Sequence, residues 1–286
     1  MNRRDFLQTA GLAASTLLVP ANANAAVPLA ATRQASMLID ISRCVGCGSC
    51  VDTCMTTYGI PEPKADHGRP ADENDLRFVR LRTVSQNGED ISIRQQCMHC
   101  REPACAAACL TKAMYKTPEG PVIWRASKCM GCRYCMLSCP FEVPKFEYFS
   151  ANPRILKCRM CWERLTDGKT PVCVEACPQE AVMFGERDAL VAEARKRIHD
   201  TPGKYVEHIY GEHEVGGTNV LYLSSVPFEK LGFRTDLGTV SYPEYCREFL
   251  YAVPFILGIF PPLLLGISRA TAENAAEPTH ESVEQQ

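Results

Sequence analysis

Sixteen cysteines in four tight groups are the residues of this 286-residue chain best suited to do chemistry. Cys44, Cys47, Cys50 and Cys54 read C-x2-C-x2-C-x3-C, and Cys129, Cys132, Cys135 and Cys139 repeat that spacing. Cys97, Cys100, Cys105 and Cys109 read C-x2-C-x4-C-x3-C, and Cys158, Cys161, Cys173 and Cys177 read C-x2-C-x11-C-x3-C. Pro140 and Pro178 follow the last cysteine of the third and fourth groups, and Cys246 alone among seventeen is left over. A C-x2-C-x2-C loop curls so that three thiolates reach three irons of one cube. Gly46, Gly48 and Gly131 suit such curvature, because glycine takes backbone angles that other residues avoid. The fourth cysteine lies three residues on, where a helix begins, and faces away from that cube; in two-cluster ferredoxins it ligates the other cluster. Such motifs work in pairs, so four motifs make two pairs and call for four [4Fe-4S] clusters.

Two other uses of cysteine fit poorly. A zinc ion takes two C-x2-C knuckles in a tetrahedron, and a third cysteine at x2 with a fourth at x3 is not that pattern. Disulfides need suitable Cα separations, and cysteines this close in sequence mostly pair badly.

The elements that position these groups are partly legible. Ser92-Ile93-Arg94 and Val122-Ile123-Trp124 read as short strands entering the second and third groups, and Val220 to Leu223 as a further strand. Glu186 to Asp200, with Leu190, Val191, Ala194 and Ile198 at helical spacing, reads as one amphipathic helix. Residues 55–96, polar and charged around Pro61, Pro63 and Pro70, read as an insertion between modules. From Arg94 to Leu165 there are twelve basic and five acidic residues, a balance of +7, although the whole chain carries −2. That charge suits either a docking face for an acidic partner or compensation of negatively charged clusters. Arg101, Lys128, Arg133, Lys157 and Arg159 stand beside or between the cysteines and are best placed for the second role. His99 reads as a polar residue near a cluster, Trp124 and Trp162 as packing residues, and Cys246 as a free, partly buried thiol.

Both ends speak of location. Asn2-Arg3-Arg4-Asp5-Phe6-Leu7, a mild apolar run to Pro20 and the small residues Ala21 to Ala25 make residues 1–25 a twin-arginine export signal. That route moves proteins already folded around their cofactors. Phe249 to Ile267 holds 19 residues without a charge, close to the length that spans a bilayer. Pro254, Pro261 and Pro262 count against a straight helix, though membrane helices tolerate proline. Docking on a partner subunit is the other use of such a segment; a single transmembrane anchor is the reading adopted here. Residues 268–286, with Glu273, Glu277, Glu281 and Glu284, read as a disordered tail.

The four motifs, in this order and spacing, resemble those of the four-cluster ferredoxin-like subunits of membrane-bound respiratory oxidoreductases. The stretches CMHCREPACAAAC, CMGCRYCMLSCPFEVPKF and CVEACPQEAVMFG, and HIYGEHEVGGTNVLYLSSVPFEKL after them, are most similar to the iron–sulfur subunits of membrane-bound uptake hydrogenases. The resemblance covers roughly residues 36–267. It implies an α+β fold of two interleaved bacterial-ferredoxin-like modules with pseudo-twofold symmetry within residues 36–248, followed by the anchor at 249–267. The groups at 44–54 and 158–177 would form one module, and those at 97–139 the other.

The ligation it implies is interleaved. Cys44, Cys47 and Cys50 would share a cluster with Cys177, and Cys158, Cys161 and Cys173 one with Cys54. Cys97, Cys100 and Cys105 would pair with Cys139, and Cys129, Cys132 and Cys135 with Cys109. Met55 and Leu110 stand where a proline often follows the fourth cysteine. The partners implied are a catalytic oxidoreductase subunit, with a nickel–iron hydrogenase favoured over a molybdenum, tungsten or multihaem enzyme, and an integral quinone-reactive subunit. The expected location is the periplasmic side of the inner membrane. No nucleophile motif, phosphate loop or nucleotide-binding glycine fingerprint is present, and nothing suggests nucleic acid. The chain reads as a carrier of electrons and not as a catalyst.

Overall fold

The computed structural model describes residues 34–63, 75–86, 88–148 and 150–275. The export signal expected at 1–25 and the end of the tail, 276–286, lie outside them.

In chain order the strands are β1 (Ala35–Asp40), β2 (Val79–Gln86), β3 (Glu89–Gln96), β4 (Met114–Lys116), β5 (Val122–Trp124), β6 (Lys145–Phe146), β7 (Ile155–Leu156), β8 (Val182–Glu186) and β9 (Val220–Leu223). The helices are α1 (Ser49–Tyr58), α2 (Ala104–Ala107), α3 (Tyr134–Leu137), α4 (Trp162–Thr166), α5 (Val172–Glu175), α6 (Arg187–Asp200) and α7 (Tyr242–Ala275).

β1 is the centre of the molecule. It pairs antiparallel with β8, Met37 opposite Phe184, and parallel with β9, Met37 opposite Val220. Both its faces are buried, as a continuous apolar run in a central strand requires. Alternate residues face two cores. Met37, Ile39, Val182, Val220 and Tyr222 look toward the cysteines, with Met98, Met160 and Cys173 and the aromatic pile of Tyr210, Phe228 and Phe233. Leu38, Leu221 and Leu223 look the other way, onto Leu190, Val191 and Ala194 of α6. Burying each such Leu or Val contributes about 1.5–3 kcal/mol. The expected strand at β9 and the expected helix at α6 are therefore the two halves of one packing layer.

Asp40 ties this layer together at the end of β1. Its carboxylate accepts from Ser42 N–H at 3.1 Å, Arg197 Nη1 at 3.1 Å and Tyr205 OH at 2.8 Å. Ser42 lies in the 3-10 turn Ile41–Arg43 that delivers the chain to Cys44.

Residues 55–96 are not a simple insertion. Met55–Tyr58 complete α1, and β2 and β3 form an antiparallel hairpin with Val79 opposite Gln96. Val79 and Ile93 are buried, so the hairpin belongs to the core. Most of its polar residues lie at less buried positions, but Arg94 and Gln96 are buried with the apolar ones, so a composition count conceals that the hairpin is core. Two small hairpins, β4–β5 and β6–β7, flank the second and third cysteine groups.

α7 is one apolar helix whose window of highest hydropathy averages 2.1, long enough to cross a membrane by length and composition. Pro254, Pro261 and Pro262 lie inside it. It roots on the rest of the fold at its start. There Ser241 Oγ donates to Glu102 Oε2 at 2.7 Å, Arg247 lies 3.5 Å from the same carboxylate, and α7 touches α2. The helix runs past Ile267 to Ala275, over residues expected to belong to a disordered tail. The alanines at 270, 272 and 275 favour helix, and the apolar turns before them supply the nucleus. Cys246 is exposed on α7, not partly buried as expected.

Candidate metal centres

Each cysteine group begins with the same backbone device. The residue before the second cysteine is left-handed in all four: Gly46 at φ 71°, His99 at 48°, Gly131 at 72° and Met160 at 53°. Glycine takes that angle freely, whereas His99 and Met160 hold it against the usual preference. Both are fully buried, so packing imposes the turn where glycine would allow it. A second device recurs after the fourth cysteine. Lys112, Glu142 and Glu180, each three residues on, are left-handed, and each N–H bonds to the carbonyl of Cys109, Cys139 or Cys177. Cys54 differs because it sits inside the longer α1.

The fold gathers the cysteines into four sets that each draw on two groups. Cys44, Cys47, Cys50 and Cys177 line one pocket together with Arg94. Cys54 feels the charges of Cys173 and Cys161, and Cys158 those of Cys54 and Cys173. Cys100 faces Cys97, Cys105 and Cys139, and Cys135 faces Cys109, Cys129 and Cys132. The sets stand in single file, because Cys50 feels Cys173, Cys158 feels Cys97 and Cys105 feels Cys135. Cys47 is exposed at one end of the file and Cys132 at the other.

Burial pushes most of these thiols up: Cys54 and Cys105 to about 12, Cys135 to about 11, and Cys44, Cys50, Cys139 and Cys161 in the same direction. Thiols held so high keep their protons at neutral pH unless a metal displaces them. Two are pulled down. Hydrogen bonds from Ser49 lower Cys47; at Cys109 the rise from burial is outweighed by the N–H groups of Met114 and Ala113 and by Thr111.

None of the seventeen cysteines is joined to another in the structure. Among the described residues no three His, Cys, Asp or Glu side chains converge as closely as a single metal ion requires. Cys44, Cys47, Cys50 and Cys177 around one pocket suit a multi-iron cube better than a single zinc ion. Sulfur-directed donors stand beside the cysteines. Met160 N–H reaches Cys158 Sγ, Met114 N–H reaches Cys109 Sγ and Ala181 N–H reaches Cys177 Sγ, each at 3.3 Å. Arg94, 2 % exposed, gives Nη2 to Cys173 Sγ at 2.9 Å, yet its Nε and Nη1 are buried with no partner in the protein. His99 Nδ1 accepts from Val122 N–H at 2.9 Å, which puts its proton on Nε2, and that atom too is buried without a partner. Orphaned donors beside cysteine sulfurs are what the anionic, hydrogen-bond-accepting inorganic sulfides of a cluster would satisfy. The residues present therefore fit four-iron cubes.

Of the basic residues singled out from sequence, Lys157 alone is buried; its Nζ reaches Cys97 Sγ at 3.6 Å and Cys158 O at 2.9 Å. Arg101, Lys128 and Arg133 are exposed, Arg133 lying over the rings of Phe146 and Tyr148, and Arg159 pairs with Glu163. Trp124 packs beside Cys105 and Cys135, whereas Trp162 gives its Nε1 to Glu119 at 3.3 Å. Arg94 is the functional residue that sequence reasoning did not single out. Its one signal was a basic residue three positions before Cys97, in a strand leading into a cysteine group.

A ferredoxin-like domain whose cysteine sets fit four-iron cubes defines an iron–sulfur electron-transfer protein, and comparison with known sequences agrees. Residues 91–187 match the model of the 4Fe-4S dicluster domain. A protein of Nitratidesulfovibrio vulgaris Hildenborough is 42% identical over the whole of this chain and 82% of its own length. The hydrogenase-2 operon protein HybA of Escherichia coli O157:H7 is 34% identical over 98% of both chains. The iron–sulfur subunit of the nitrate-inducible formate dehydrogenase of Escherichia coli K12 is 31% identical over 66% of this chain and 68% of its own length. The chain belongs to the family of ferredoxin-like iron–sulfur electron-transfer subunits that contains HybA and these formate dehydrogenase subunits.

Proposed function

We propose that this chain is the electron conduit of a membrane-bound respiratory complex, holding four [4Fe-4S] clusters on the sixteen cysteines of the four groups. The observation that carries this reading is the single file of cysteine sets, with Cys47 exposed at one end and Cys132 at the other. When bound, each cube accepts and gives up one electron, which lets a two-electron reaction at one end serve a quinone at the other. The chain's own residues bury the inner cubes, aim N–H groups at their sulfurs and leave only the terminal sets open to partners.

The exchange of the fourth cysteine within each pair of groups supports two modules related by a pseudo-twofold axis. α7 supports the orientation. It is rooted at α2, and α2 packs on α3, so the set of Cys109, Cys129, Cys132 and Cys135 lies toward the anchor. Around that set Leu110, Met130, Tyr134 and Leu137 are strongly exposed, which suits the face that meets an integral quinone-reactive subunit. The Cys47 end, with exposed Val45 beside it, is left for the catalytic subunit. The twin-arginine signature at Arg3-Arg4 supports a periplasmic location. Similarity to HybA along nearly the full chain favours a nickel–iron hydrogenase as the catalytic partner, and the shorter match to formate dehydrogenase subunits supports a molybdenum or tungsten enzyme as the alternative.

The test is metal analysis of the complex purified anaerobically from membranes in mild detergent through this chain. About sixteen irons per copy of this chain, beyond those of the catalytic subunit, are expected from four cubes. Nickel in the same preparation supports the hydrogenase, and molybdenum or tungsten without nickel replaces that partner. Zinc in place of iron and sulfide would overturn the whole reading.

A further inference from the structure

Among the described residues, Arg94 and Lys157 are the only buried arginine and lysine, at 2 % and 3 % exposure, and neither touches a carboxylate. A buried cation without a carboxylate is costly and needs another negative partner. Their positions say what that partner is. Arg94 bonds Cys173 and acts on Cys54, which belong to the second set in the file; it also acts on Cys44 and Cys50, which belong to the first. Lys157 bonds Cys97 and acts on Cys105 and Cys139 in the third set, while it holds the backbone carbonyl of Cys158 in the second. Each cation occupies the junction between two neighbouring sets. The third junction, between Cys105 and Cys135, has no buried cation among the described residues.

Resting on the four-cluster reading above, we infer that Arg94 and Lys157 are positioning charges that raise the reduction potentials of the clusters on both sides of their junctions. The cluster held by Cys54, Cys158, Cys161 and Cys173 lies within reach of both charges, so its potential is raised most. A fixed positive charge stabilises the reduced, more negative form of each neighbouring cube. The guanidinium at Arg94 adds a second contribution, since its unpartnered Nε and Nη1 can donate to sulfides. The cluster of Cys109, Cys129, Cys132 and Cys135 is left under the control of solvent.

The experiment is a redox titration of the purified holoprotein followed by electron paramagnetic resonance, on Arg94→Gln, Arg94→Lys, Lys157→Gln and the Arg94→Gln/Lys157→Gln double variant. Iron and sulfide per chain are measured first. A wild-type protein without four clusters refutes the proposed function and not this inference. With four clusters present, Arg94→Gln is expected to lower two midpoint potentials, each by about tenfold in the reduction equilibrium, or about 59 mV for one electron. Lys157→Gln should also lower two, the double variant three, with one of the three falling twice, and Arg94→Lys should stay near wild type. Four unchanged potentials in Arg94→Gln, or a uniform shift of all four, overturns the inference. If Arg94→Gln fails to hold its clusters, Lys157→Gln decides in the same way: two lowered potentials uphold it and none overturns it.

Discussion

Replacing Asp40 by Ala should strike the first cysteine set from below without touching a cysteine. Asp40 is 1 % exposed, and its carboxylate serves three donors from three parts of the chain. Loss of the acceptor for Ser42 N–H costs about 1 kcal/mol, as for a helix cap. Loss of the acceptor for Tyr205 OH costs about 1 kcal/mol more. The bond to Arg197 is charge-assisted and worth about 1.5–3 kcal/mol. It is taken at the lower end because Arg197 is 18 % exposed and keeps Glu193 at 2.9 Å. The sum is about 3–4 kcal/mol, which at about 2–4 °C per kcal/mol lowers the melting temperature by roughly 6–16 °C. Asp40→Asn keeps an oxygen for Ser42 and loses mainly the charge, so it should give about half that shift. The assay is thermal melting of the holoprotein at one fixed scan rate, read by circular dichroism and by loss of visible absorbance, since cofactor release makes unfolding irreversible. An Asp40→Ala protein melting within about 2 °C of wild type refutes the claim that this carboxylate secures β1 to α6.

Four shorter predictions test other parts of the fold. Cys132→Ala should remove one of four cluster signals and leave the iron content about a quarter lower; four intact signals by electron paramagnetic resonance would sink the assignment of Cys132 as a ligand. Gly211→Ala drives a Cβ into Val220 O at φ 98°, so it should destabilise by about 2–4 kcal/mol and melt early in the same assay; an unshifted melt contradicts it. A chain ending at Arg247 should leave the membrane fraction with its iron per chain unchanged, and iron loss on truncation would mean that α7 supports the metal centres. Burial and the bond to Asp40 push the Tyr205 phenol up to about 12, so the folded state holds this proton longer than the unfolded state does. The stability it contributes is complete below about pH 10 and is lost as pH rises through about 12. Melting temperature should therefore fall less steeply across that window in Tyr205→Phe, and an identical slope would exclude the coupling.

What was legible in the sequence was what local geometry dictates. Three thiols within seven residues can converge only if the backbone curls, so the spacing of Cys44, Cys47 and Cys50 announced its loop, and Gly46 and Gly131 marked the left-handed step. His99 and Met160 take the same step with no such mark, because there the surrounding core supplies what glycine supplies elsewhere. β5 and β9 were readable as short continuous apolar runs, and α6 because its apolar residues repeat at helical spacing. The β2–β3 hairpin was not, since the Arg, Thr, Ser and Gln residues of its more exposed positions outnumber the apolar ones. Arg94 was hidden for a related reason. A charged residue in a sequence implies surface, and only closure of the fold around four cysteine sets makes a buried guanidinium tenable. The helical start of the tail, 268–275, was missed because acidic residues beyond Ser268 suggested disorder, while a helix already running can extend through alanine at little cost.

The place of β1 between β8 and β9 also sets a clock. The first strand among the described residues finds its parallel neighbour only at Val220, opposite Met37, a separation of 220 − 37 = 183 residues. At about 5–20 residues per second of synthesis, roughly 10–40 s pass before the central sheet can close. Closure of a sheet with such distant partners is itself slow. Through that interval the cysteine loops are made but the floor beneath them is not. The apolar helix α7 follows β9 by fewer than twenty residues, since α7 begins at Tyr242 and β9 ends at Leu223. Closure of the central sheet thus waits until β9 has been synthesised. The β1 side of the floor beneath the cysteine loops is therefore complete only once β9 has been made, which puts closure of the metal-binding part after synthesis of Leu223.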